Sequence, residues 1–109
     1  MPAKGRLSEK KLREIIRRVV KVAQPEKIIL FGSAARGKMG PNSDVDLLVV
    51  KPGKFHQGHL TGEIYMKLHG IGVPVDIILA TPEQVEKYSQ THFLVIAPAL
   101  REGKEVYRA

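Results

Sequence analysis

Three short runs constrain this chain more than anything else in it: Lys27–Phe31, Asp44–Lys51 and Val75–Ala80. Each is dominated by Ile, Leu and Val and is too short for a buried helix. Each is followed by a turn or helix-start signal, Gly32, Pro52-Gly53 or Thr81-Pro82. Strands buried on both faces need helices to cover them. The segments between them supply the helices. From Ser8 to Ala23 the apolar residues Leu12, Ile15, Ile16, Val19, Val20, Val22 and Ala23 share one side, while Lys10, Lys11, Arg13, Arg17, Arg18 and Lys21 share the other. Ser8 is placed to cap this helix and Pro25 to stop it.

Further along, Ser33–Arg36 suits a short helix closed by Gly37, and Leu60, Ile64, Leu68 and Ile71 recur at helical spacing. Thr81, Pro82 and Glu83 form a helix start. Leu94–Glu102 reads as partly helical, with a break expected at Ala97 because proline disfavours helix in the residue before it. Glu105–Tyr107 suits a short edge strand after Gly103. The order is helix and strand in alternation, which predicts a small α/β (α+β) domain with a mixed sheet of about four strands flanked by helices. At 109 residues the chain is expected to be a single domain. Residues 1–24 form its basic amphipathic helix and 25–109 its core.

The chemistry-bearing residues stand out against this pattern. Asp44 and Asp46 open the second strand on one face, and Asp76 interrupts the third. On this reading all three are buried, and three buried carboxylates on adjoining strands repel one another unless a cation joins them. An all-oxygen donor set suits Mg²⁺, with Mn²⁺ as the alternative. Gly32 and Ser33 lie at a strand-to-helix junction, where backbone N–H groups and the hydroxyl can hold phosphate. Arg36, one turn on, can reach the same anion. Of the histidines, His56 and His59 lie three apart but have no thiolate or carboxylate close by in the expected loop. His56, His59, His69 and His92 are therefore read as surface residues rather than a zinc site.

Gly32-Ser33, ten residues, then Asp44-Val45-Asp46 resembles the signature of the DNA polymerase β-like nucleotidyltransferase superfamily, and Asp76 matches its third carboxylate. The fuller text, Phe-Gly-Ser-Ala-Ala-Arg-Gly followed by Ser-Asp-Val-Asp-Leu-Leu-Val, is similar to the minimal nucleotidyltransferases. So is the Arg-Glu-Gly-Lys-Glu-Val-Tyr ending at Tyr107. The resemblance implies the polymerase β-like fold and attack of an acceptor hydroxyl on the α-phosphorus of a nucleoside triphosphate, ATP above all, with pyrophosphate leaving. It implies two Mg²⁺ ions on Asp44 and Asp46, with Asp76 as ligand and general base. Gly32, Ser33 and Arg36 would hold the phosphates. It further implies a protein acceptor, a small helical HEPN-type toxin for which this chain is the antitoxin.

Two other readings are weighed beside this one: a non-catalytic module that occludes a toxin, and a transferase acting on a small hydroxyl compound or an RNA end. No apolar run approaches the roughly 20 residues of a membrane span, and zero cysteines exclude disulfides and thiolate chemistry. A cytoplasmic protein is expected. The formal charge of +7 suggests an acidic partner, but it is unevenly spread. Met1–Lys27 carries nine basic and three acidic residues, whereas the other 82 residues carry nine and eight. The excess therefore belongs to one helix face, and nucleic acid is not favoured as the partner.

Overall fold

The computed structural model describes residues 8–35, 45–88 and 96–109. Helix α1 (Glu9–Ala23) starts at Ser8, whose hydroxyl accepts a hydrogen bond from the Lys11 amide at 3.1 Å. It ends where Gln24 adopts a left-handed φ of 46° and donates its N–H to the Val20 carbonyl. Pro25, next in line, cannot prolong it. Strand β1 (Lys27–Phe31) leads directly into a four-residue helix, α2 (Gly32–Ala35). Strand β2 (Val45–Val50), helix α3 (Gln57–Lys67) and strand β3 (Val75–Ala80) follow. Helices α4 (Pro82–Tyr88) and α5 (Ile96–Glu102) and strand β4 (Lys104–Arg108) complete the chain.

The four strands form one mixed sheet in the order β3-β2-β1-β4. β1 is antiparallel to both of its neighbours, β2 and β4, while β2 and β3 run parallel. Central β2 explains the doubly apolar sequence: Val45, Leu47, Leu48, Val49 and Val50 are all fully buried. Burial of each such side chain contributes about 1.5–3 kcal/mol.

Alternation along the strands divides the core in two. Ile28, Leu30, Val45, Leu47, Val49 and Ile77 pack with Ile15, Val19 and Ala23 of α1 and Ile64 of α3. Ile29, Leu48, Val50 and Ala80 face the other way, against Ala99 and Leu100 of α5 and Val85 of α4. The sheet is thus covered by α1 and α3 on one face and by α4 and α5 on the other.

The helix starts obey local chemistry. Gln84 donates its N–H to the Thr81 hydroxyl at 3.1 Å, and the Thr81 N–H donates to the Gln84 side-chain oxygen at 2.9 Å, a reciprocal cap on α4. His56 caps α3, its Nδ1 accepting from the His59 amide at 3.0 Å. His59 itself lies within α3, where its Nε2 is 3.1 Å from Glu63. His56, His59 and His69 are exposed as expected, but the first two belong to a helix start rather than a loop. His92 lies outside the described residues.

The break expected at Ala97 does not occur. Helix α5 begins at Ile96 and runs through Ala97 and Pro98 to Glu102. Pro98 falls in the first helical turn, where no intrahelical acceptor awaits its missing N–H, so the proline costs no hydrogen bond there. Gly103 then joins α5 to β4, with its N–H on the Ala99 carbonyl at 2.8 Å. A Cβ at Gly103 would collide with that carbonyl and with Ile29, and would sit 3.0 Å from the Leu30 carbonyl. Gly103→Ala is therefore expected to destabilise the fold by about 1–3 kcal/mol. A lower urea midpoint at unchanged m-value would record it.

Candidate functional site

Asp46 sits one residue into β2, directly across from Phe31 of β1 on one side and from Asp76 of β3 on the other. Because β2 and β3 are parallel and in register, the two carboxylates stand on the same face of adjacent strands, whose backbones in a sheet are about 4.8 Å apart. That face is the one bearing Leu48 and Val50, opposite to Val45 and Leu47. Gly32 completes the row, following Phe31 at the end of β1.

Gly32 has φ +72°, a conformation that side-chain-bearing residues rarely adopt. A Cβ there would clash with the Oδ2 oxygen of Asp46. The absence of a side chain thus lets a carboxylate oxygen lie against the first backbone unit of α2. Glycine is required twice over at this position, for its dihedral and for its room.

Burial is where expectation and structure part. Asp46 is half-buried and Asp76 is exposed, and no described polar or charged residue is buried. The apolar neighbours that made Asp76 look buried, Val75, Ile77 and Leu79, alternate with it and project to the α1–α3 side. On its own face, α4 and α5 cover Leu48, Val50, Ile78 and Ala80, further along the strands than the carboxylates. Asp46 and Asp76 thus lie at the open starts of their strands. Desolvation is not what demands a cation here; two carboxylates in register, neither of them buried, form a hard-oxygen donor pair that suits Mg²⁺.

Ser33 is the second residue of α2, its side chain outside the described set. Asp44 and Arg36 lie outside the described residues. The structure therefore brings Gly32, Asp46 and Asp76 together.

The composition of the strands gave no hint of how β3 is held. As an outer strand, β3 directs alternate backbone groups away from β2. The Tyr65 hydroxyl accepts the Ile77 N–H at 2.8 Å, and the Gln57 amide donates to the Leu79 carbonyl at 3.2 Å. Gln57 also donates to Gln84 at 2.9 Å, tying the starts of α3 and α4 together. Tyr65, next but one before Lys67 on an exposed part of α3, thus steadies the strand position immediately after Asp76. Its only sequence signal was a phenol in a helix otherwise read for its aliphatic stripe. Tyr65→Phe is expected to cost about 1 kcal/mol and to speed hydrogen exchange at the Ile77 amide.

A family model described as a nucleotidyltransferase domain matches residues 9–100. The fold is similar to that of a Sulfolobus solfataricus protein assigned as a nucleotidyltransferase, with 20% identity, 91% of this chain and 78% of that chain covered, and a TM-score of 0.62. It is also similar to a chain from the crystal structure of a toxin–antitoxin with AMP-PNP, with 18% identity, coverage of 94% and 75%, and a TM-score of 0.64. A search of curated proteins gave no match. Among the described residues no helix is long and apolar enough to cross a membrane.

Proposed function

The chain belongs to the nucleotidyltransferase domain family, and on that premise we propose that it transfers AMP from ATP to a hydroxyl of a partner protein, releasing pyrophosphate. The observation that carries this reading is the registered pair Asp46 and Asp76 beside the side-chain-free backbone of Gly32. Asp46 and Asp76, with Asp44, would hold Mg²⁺. When bound, the metal would neutralise charge on the triphosphate and on the departing pyrophosphate.

The protein's own groups have distinct tasks. Gly32 leaves the backbone bare where the phosphates approach, and the Ser33 N–H and hydroxyl donate to their oxygens. Asp76, the more exposed of the pair, accepts the proton of the attacking hydroxyl. Arg36 counters phosphate charge from the next turn. The α-phosphorus gains the acceptor oxygen and loses the pyrophosphate oxygen, so the balance closes on AMP-modified acceptor, pyrophosphate and one proton.

Support for an adenine nucleotide and a protein acceptor comes from the shared fold with a toxin–antitoxin crystallised with AMP-PNP. On this reading the chain is the antitoxin and its acceptor a HEPN-type helical toxin. The test combines the chain, the protein that co-purifies with it, Mg²⁺ and α-labelled ATP. Stoichiometric pyrophosphate release and label appearing on the partner are expected. Label on RNA or a small molecule in the absence of any protein acceptor would transfer the reading to those substrates.

A further inference from the structure

From the groove between α1 and β4, we propose that the chain docks an amphipathic helix of a partner protein whose apolar stripe is flanked by Asp and Glu. The groove is shallow, about 600 Å³, and its floor is formed by Ile16, Val20, Val106 and Tyr107. It exists because of an irregularity in the sheet. The register of β4 against β1 slips between Ile28, which pairs with Tyr107, and Ile29, which pairs with Glu105. A bulge of this kind breaks strict alternation, so the consecutive residues Val106 and Tyr107 both pack on the α1 side.

Cations line the α1 wall. Two of the helix's basic residues have structural work: Lys11 donates to the Ile71 carbonyl at 2.7 Å, and Arg18 donates to the Lys67 and His69 carbonyls and pairs with Glu14. Arg13, Arg17 and Lys21 recur every fourth residue along the groove instead. Arg13 and Lys21 form no ion pair among the described residues, and Arg17 is 73% exposed and 3.9 Å from Glu14. The same strip continues toward α3, where Arg17 and Lys21 border Met66, which is 79% exposed.

Charge and polarity together select the occupant. A second copy meeting this face about a two-fold axis would oppose the three cations with themselves. A nucleic-acid backbone would use the cations and leave the apolar floor unmatched, whereas such interfaces are markedly polar. An acidic amphipathic helix satisfies both halves of the surface. The groove lies on the α1 face of the sheet, opposite to Asp46 and Asp76. Docking and transfer are therefore separable. The inference draws on the proposed function only for the role of the docked partner, and binding is measured without nucleotide.

Fluorescent stapled helical peptides with one apolar stripe, flanked by Glu or by Lys, serve as probes. A Glu-rich peptide without the stripe and a single-stranded oligonucleotide complete the set. By fluorescence anisotropy at physiological salt, the Glu-flanked peptide is expected to bind at least tenfold tighter than the other three. The triple variant Arg13→Glu, Arg17→Glu and Lys21→Glu, its fold checked by circular dichroism, is expected to lose that peptide tenfold or more and to prefer the Lys-flanked one. Absence of saturable binding by the Glu-flanked peptide, tighter oligonucleotide binding, or an unchanged preference in the triple variant would each overturn the proposal. A chain that docks the peptide but transfers no nucleotide to any protein sinks the transfer reading alone.

Discussion

Asp46→Asn is expected to lower nucleotide transfer by about 1,000-fold while the fold stays intact. Asparagine has the same shape and keeps one carboxamide oxygen beside Gly32, so strand register and packing survive. What disappears is a full negative charge at the centre of the row formed by Gly32, Asp46 and Asp76. That charge would hold the Mg²⁺ that offsets negative charge on the triphosphate and the departing pyrophosphate; stabilisation of this kind is worth several kcal/mol, and each 1.36 kcal/mol is about tenfold in rate. Because Asp46 is only half-buried and faces another carboxylate in register, removing its charge is expected to leave the melting temperature within a few degrees. Single-turnover transfer of label from ATP measures the first effect and a thermal melt the second. The same variant separates catalysis from occlusion. If a chain carrying Asp46→Asn protects against a toxin as well as the unaltered protein does, modification is not how the toxin is silenced.

Gly32→Ala is the second large effect, and it works through geometry rather than charge. The methyl group would clash with Asp46 Oδ2, and the φ of +72° is unfavourable for any residue with a side chain. The dihedral alone costs about 1–2 kcal/mol of stability. Relief of the clash has to move Asp46, the turn into α2, or both, and displacement of a reacting group by about 1 Å can cost 100-fold in rate. A loss of transfer near 100-fold, with a melting temperature lowered by several degrees, is expected. If Gly32→Ala transfers nucleotide at the wild-type rate, neither the carboxylate position nor the bare backbone matters to the reaction.

Much of this architecture was legible because local and global preferences agree. Strands β1 and β3 follow the apolar runs residue for residue, and Ser8 and Thr81 cap helices as their chemistry dictates. Of the residues singled out from the sequence, strand register sets Asp76 across from Asp46, and the bare backbone of Gly32 lies against the Asp46 carboxylate. Burial was not legible. Strand periodicity says which neighbours share a face, but the apolar residues flanking Asp76 belong to the other face. How far α4 and α5 extend along the sheet is a tertiary fact. Pro98 misled for a related reason, since a proline's effect on a helix depends on whether it falls in the first turn. Tyr65 and Gln57 escaped notice because their partners are backbone groups of β3, and backbone groups leave no trace in composition.

The pairing of β4 with β1 has a consequence for biosynthesis. β1 is the strand that β2 and β4 enclose, yet Ile28 meets Val49 on one side and Tyr107 on the other. The first pairing can form once half of the chain has left the ribosome; the second waits for residues near position 107. Through that interval Ile-Ile-Leu-Phe is an unprotected sheet edge, the kind of surface that recruits other nascent chains. A ribosome stalled between β3 and β4 thus carries a chain whose β1 edge is bare, and β4 is the strand that covers that edge.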